Sequence, residues 1–166
     1  MELSIRSFVL LGAVVLTGLS AGFFYAWSVS VIPGTQKITD ASYLETMQSI
    51  NSAILNPAFF SVFFGSILFL IAASAFEFNH GMVAFWLMFS ATFMYLIGTL
   101  CVTGLGNVPL NDQLDALNLS ELATTQMKEF RNFYETKWNY LHQIRTVCAV
   151  ISFLLATLSI LFQTNK

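Results

Sequence analysis

Four stretches of the chain run almost without charge, at residues 7–32, 57–76, 82–103 and 141–163, and polar connections separate them. Each stretch reaches or exceeds the roughly 20 residues that an α-helix needs to cross the hydrocarbon core of a bilayer. The pattern predicts an all-α protein, a four-span transmembrane helix bundle, as a single integral membrane domain over residues 1–166 with both termini on one side of the membrane. A small-residue cleavage site can be read at Ser20-Ala21-Gly22, but the apolar run continues through it to Ile32. The first stretch is therefore expected to be a retained span and not a signal peptide.

The connections carry periodicities of their own. In the first, Tyr43, Met47, Ile50 and Ile54 recur at helical spacing, and Ser42 stands three residues before Glu45 as in a capping box. An amphipathic helix over residues 40–55 is expected near the membrane interface. It ends at Asn56-Pro57, where Asn can cap the next helix and Pro fits its first turn. Glu77 to Gly81 reads as a tight polar turn. The third connection opens with Gly104, Gly106 and Pro109, which read as a helix break flanked by Asn107 and Asn111. Asn118 and Glu121 then offer a cap. Leu122, Phe130, Phe133, Tyr134, Trp138 and Leu141 follow at helical spacing. The amphipathic helix over 119–140 should run unbroken into the fourth span, extending roughly 60 Å if straight. Arg131 and Glu135 fall one turn apart on its water-facing side.

Composition agrees with a membrane protein. The 166 residues are 56% hydrophobic and only 10% charged, with mean hydropathy +0.70. Seven basic residues, thinly spread in a chain of net charge −2, give no basic face for nucleic acid. Lys37, Lys128, Arg131, Lys137 and Arg145 lie on the side of the first and third connections, against Arg6 and Lys166 on the other. The positive-inside rule would place the large connections in the cytoplasm. Cys101 and Cys148 lack CxxC spacing and read as small buried thiols, with a contact between them left open.

The topology gathers nearly every unusual polar or ring-bearing residue at one end of the bundle. From the first span come Tyr25, Trp27, Ser28 and Ser30, and from the first connection Gln48, Asn51 and Asn56. Asn107, Asn111, Trp138, His142 and Arg145 complete the set. Polar groups at membrane depth are costly unless they face the bundle interior or water, so they mark a candidate site. The competing reading is an aromatic belt with asparagine caps and turns, an interfacial His142 and an Arg145 that snorkels to headgroups. His142 and Arg145, one turn apart with Trp138 a turn earlier, favour an inward-facing group. Gly18, Gly22, Ala26 and Ser30 recur every four residues, a stripe suited to close helix packing or to a homo-oligomer. Met47, Met94 and Met127 read as gap fillers. His80 and His142 stand at opposite ends, so a bis-His haem site is not expected. No metal site is expected, and no inverted repeat points to transport.

AGFFYAWSVSVIPG, MQSINSAILNP, GNVPLNDQLD and WNYLHQIRT, in this order, resemble the successive motifs of the anthrone-oxygenase-like integral membrane family. The resemblance implies a four-span membrane protein that oxidises anthrones to anthraquinones with dioxygen, without flavin, haem or required metal. It implicates Trp27, Asn51, Asn56, Asn107, Asn111, Trp138, His142 and Arg145. On that expectation His142 is the base. Arg145 with asparagine amides stabilises an oxyanion, while Tyr25, Trp27, Phe24 and Trp138 stack on a flat substrate. The alternatives are a non-catalytic membrane protein that binds a quinone, a lipid or another small hydrophobe, and a structural or assembly subunit.

Overall fold

The computed structural model describes residues 4–162. Residue 163, at the end of the expected fourth span, and Lys166 lie outside them. Five long helices follow in order: α1 (Ile5–Thr35), α2 (Asp40–Ala53), α3 (Pro57–Phe78), α4 (Met82–Asp115) and α5 (Thr124–Leu161). All except α2 are long and apolar enough to cross a membrane, so the chain is a four-span helix bundle. Helix α1 packs on α3 and α5, and α4 on the same two helices. Outward positions such as Phe8, Leu11, Leu68 and Ile71 are exposed and apolar, as lipid-facing residues should be.

Local chemistry explains the helix ends. Ser4 accepts the Ser7 amide to start α1, and Asn56 accepts the Phe59 amide to start α3, with Pro57 in its first turn. Helix α2 starts at Asp40 as expected, but its cap is Thr39, whose hydroxyl accepts from the Ser42 amide, and Ser42 lies within the first turn. Helix α2 also packs on protein. Tyr43, Leu44 and Met47 are buried against Leu110, Leu114 and Tyr134 of α4 and α5. Asn118 bonds Glu121 within a short 3₁₀ turn, and α5 starts beyond it. Glu77, expected in a polar turn, belongs to the last turn of α3. Its carboxylate is fully buried and forms a fork with Arg6 at 2.9 and 3.1 Å, tying the far ends of α1 and α3.

Two prolines set the shape of the other end. A proline inside a helix lacks an amide hydrogen, and its ring collides with the carbonyl four residues earlier. Pro33 and Pro109 each stand two residues beyond the end of a π-helical segment, Trp27–Val31 and Thr103–Asn107. A π turn re-spaces the carbonyls, so the helix continues where an α-helix would break. This explains why α4 runs on to Asp115 through the Gly104–Pro109 stretch that reads as a break. A further π-helical segment, Met94–Cys101, lies just before it. Within it Gly98 lets α5 come close, because a β-carbon there would collide with the Cys148 side chain. In the small-residue stripe of α1, Gly18 is used inside the chain against Phe153, whereas Gly22, Ala26 and Ser30 are exposed.

Arg131 is not on a water-facing side. It is buried and donates to the carbonyls of Thr35, Gln36 and Ile38 and to Asp40 and Glu135, while its guanidinium lies 4.4 Å from the Tyr43 ring centre. It thereby stitches the end of α1 and the start of α2 to α5. Burial, reinforced by Glu135, raises the Tyr43 phenol well above its ordinary range and keeps it neutral beneath that cation. Arg131→Ala should cost about 2 kcal/mol or more, since it leaves several carbonyls and the partly buried Asp40 and Glu135 carboxylates without their donor. Thermal unfolding in detergent checks this, with Arg131→Lys expected to retain only part of the stability that Arg131→Ala loses.

Candidate functional site

All five helices contribute to a cleft of about 360 Å³ at the end of the bundle that holds the prolines. The first π turn brings Trp27 to its wall beside Phe23 and Phe24, and α2 supplies Ile50, Asn51 and Ile54. Phe59, Phe60, Phe63 and Phe64 of α3 form an aromatic side. From α4 a single face, Gly104, Val108, Asn111, Asp112 and Asp115, rises at helical spacing from the interior to the rim. Helix α5 contributes Trp138 and Arg145.

The centre of the site is a stack. The Trp138 and His142 rings lie parallel, 5.1 Å apart with 8° between their planes. The Arg145 guanidinium sits between Trp138 and Phe24, 4.9 and 4.8 Å from their ring centres. Such faces carry negative potential and help to solvate a cation. Arg145 Nε and Nη2 both donate to His142 Nδ1, at 3.1 and 3.0 Å. An arginine can only donate, so Nδ1 is the unprotonated nitrogen. The ring proton of the neutral imidazole is then on Nε2, which faces Ser28 Oγ at 2.9 Å and the Phe24 carbonyl at 3.2 Å. His142 is completely buried, with both nitrogens engaged, and it supports the cleft from behind without lining it.

Around this stack the amides are held in place. Asn111 Oδ1 accepts from Tyr134 Oη at 3.0 Å and Trp138 Nε1 at 2.9 Å, and Asn51 donates to Tyr134 Oη at 3.1 Å. Asn107 donates to the Trp138 carbonyl, while its buried Oδ1 has no partner among the described residues. Gln48 donates to the carbonyls of Leu114 and Leu117, holding α2 over the cleft.

Trp27, Ser28, Asn51, Asn107, Asn111, Trp138, His142 and Arg145 are thus brought together. Two expected residues are not. Tyr25 points outward and is 59% exposed, because it is turned about 100° around α1 from the buried Phe24. Asn56 is occupied in capping α3 and borders a separate, smaller cavity of about 300 Å³ between α1 and α3. Sequence reasoning named Phe24 but missed the phenylalanines of α3, although Phe59/Phe63 and Phe60/Phe64 are pairs one turn apart. Asp112 and Asp115, which nothing in the sequence singles out, are exposed and line the rim. Among the described residues no three His, Cys, Asp or Glu side chains converge to hold a metal.

Residues 57–155 match the family described as Anthrone oxygenase. The chain belongs to that family. The matched stretch holds the α4 and α5 parts of the site, from Thr103 to Arg145, and the motifs GNVPLNDQLD and WNYLHQIRT. The α1 and α2 contributions, Trp27, Ser28 and Asn51, precede it. No curated relative and no solved structure matches the chain.

In this member of the anthrone oxygenase family, Asn111 is the keystone of the polar wall. Asn111→Leu leaves the Trp138 indole and Tyr134 hydroxyl hydrogens without their acceptor, at about 1–3 kcal/mol for each buried group left unpaired. Asn56→Ala removes a helix cap, worth about 1 kcal/mol. Thermal unfolding should therefore rank Asn111→Leu as the more damaging; the reverse order would mean the wall does not depend on this network.

Proposed function

We propose that the protein is a membrane oxygenase that oxidises a flat, hydrophobic, anthrone-like carbon acid with dioxygen. One observation carries this reading: in a chain of the anthrone oxygenase family, an aromatic-walled cleft ends on a buried guanidinium that has no carboxylate within ion-pairing distance among the described residues. Trp27, Phe63 and Trp138 suit a flat ring system, which offset or edge contacts would hold.

The chemistry balances without further reactants. Loss of a proton from the ring methylene leaves a delocalised enolate whose negative oxygen faces Arg145. One electron passes from the enolate to dioxygen, and the two radicals combine to form a carbon–oxygen bond. Proton uptake gives the hydroperoxide. Loss of the remaining methylene proton then cleaves the O–O bond, leaving a ketone and releasing the second oxygen as water. A fixed guanidinium in a site of low dielectric stabilises the enolate as its charge develops. The bases facing the cleft are the rim carboxylates, and Asp112, one turn above Val108, is our choice for proton acceptor, directly or through one water. His142 acts through Arg145. It accepts two guanidinium hydrogens and is itself held by Ser28 and the Phe24 carbonyl, which makes it a positioning residue.

Anthrone-dependent oxygen uptake by the purified protein in detergent is the test. Arg145→Ala should lower kcat about 10²–10³-fold, the usual effect of removing an oxyanion donor. Asp112→Asn should lower kcat about 10²–10⁴-fold, the usual effect of losing a general base. His142→Ala should lower kcat, and combined with Arg145→Ala it should add little. Wild-type protein that consumes no oxygen would overturn the reading, and a double variant whose loss is the product of the two single losses would overturn the role given to His142.

A further inference from the structure

The contacts around Arg145 leave its charge unfinished. The Nε hydrogen and one Nη2 hydrogen go to a neutral ring nitrogen, and among the described residues Nη1 reaches only the Thr103 hydroxyl at 3.5 Å, the limit of a hydrogen bond. The guanidinium is still buried, with the residue 8% exposed, and it lines the cleft. The charged and titratable groups around it are few. Its own helix brings His142 and Tyr134, α4 brings Asp112 and Asp115 at the distant rim, and the cleft residues of α1, α2 and α3 carry none. A buried cation without a counter-charge is costly, and arginine does not escape the cost by losing its proton. What is missing is an anion, of a size and shape set by the aromatic walls.

The rim argues about how that anion arrives. Asp112 and Asp115 are exposed, and their carboxylates take no part in any hydrogen bond or ion pair among the described residues, so the watery mouth is negative and repels anions. On the opposite side, Phe23, Phe59 and Phe63 form a wall shared with the smaller cavity between α1 and α3, whose lining includes the exposed Leu19. That side favours an uncharged, apolar visitor.

We infer that the cleft takes up a neutral, weakly acidic hydroxyarene or enol and holds it ionised, with its oxyanion on Arg145 and its rings between Trp27, Trp138 and Phe63. The ligand O–H bond breaks, and its proton passes through the rim carboxylates to water. The ring system is taken from the oxygenase reading, whereas the ionised state depends on Arg145 alone. Quinones without a hydroxyl group, neutral lipids and fully alkylated arenes lack the acidic oxygen and are poor ligands.

The probe is 2-hydroxyanthraquinone, a stable dye whose visible band moves to longer wavelength when it ionises, added to the intact protein in nonionic detergent. The buffer is set about one pH unit below the dye's midpoint in the same micelles, where only about a tenth of it is ionised. Bound dye should show the ionised band, with its midpoint lowered by about one pH unit or more. 2-Methoxyanthraquinone should show no such band. Arg145→Gln should abolish the effect, and Arg145→Lys should keep part of it, which covers the case in which the Gln variant does not fold. Dye that quenches tryptophan fluorescence while keeping its neutral spectrum, dye that does not bind, or a band that survives Arg145→Gln would each overturn the inference. An ionised band without anthrone-dependent oxygen uptake would remove the oxygenase reading and leave this one standing. Oxygen uptake with neutral bound dye would do the opposite.

Discussion

A guanidinium inside an apolar helix bundle must be solvated by something, and much of the architecture at one end of this protein follows from how that is done. Two of the Arg145 donors converge on one nitrogen of His142, and its faces are covered by Phe24 and Trp138. For His142 to accept there, its proton must sit on the other nitrogen and find acceptors, which are Ser28 and the Phe24 carbonyl on α1. Ser28 lies in the π turn ahead of Pro33. The charge on α5 is therefore coupled to a backbone irregularity on α1. A regular α-helix there would return Ser28 to a different angle about the helix axis.

The same device appears on α4. Both of these helices carry a proline near the cleft, and both meet it with a π turn that preserves the helix instead of ending it. The result is two spans that continue past the apolar stretch and bring Trp27, Thr103 and Asn111 to the cleft from opposite sides. Helix α2, held by Gln48 and by the buried Tyr43, Leu44 and Met47, then closes the space above them. The side chains of the four spans and α2 leave a cleft of about 360 Å³ unfilled at this end. At the other end, the Leu10, Ile67, Leu70, Met88 and Ala156 cluster does fill the space.

The spans were legible because apolar length is a strong signal that needs no partner to interpret. Trp138, His142 and Arg145 were legible for a related reason: three polar or ring-bearing residues at one-turn intervals share a face whatever they pack against. Tyr25 and Asn56 were harder, because composition marks a residue as unusual without giving its direction. Tyr25 is one residue from Phe24 and so about 100° away around the helix. The prolines misled in the same way. Pro109 reads as a break because the compensating π turn is a property of the folded backbone and not of any residue type. Arg131 and Glu135 look like an exposed pair one turn apart until α2 folds over them and brings Asp40, a partner 91 residues away in the chain.

The two arginines of α5 make the functional argument sharper than either alone. Both are buried to the same degree, 8% exposed, on one continuous helix. Arg131 is neutralised by Asp40 and Glu135 and bonded to three carbonyls, a complete set of partners for a structural cation. Arg145 has aromatic faces, one neutral imidazole and a distant hydroxyl. If burial were the only demand, the solution at Arg131 was available to the same helix, and a carboxylate opposite Arg145 would have met it. Such a carboxylate would also have occupied the cleft and cancelled its field. The carboxylates instead stand at the rim, where they leave the guanidinium free to act on whatever enters. The separation of charge along the cleft, a cation at its base and anions at its mouth, is what an enzyme needs if it is to stabilise a carbanion at one end and dispose of a proton at the other.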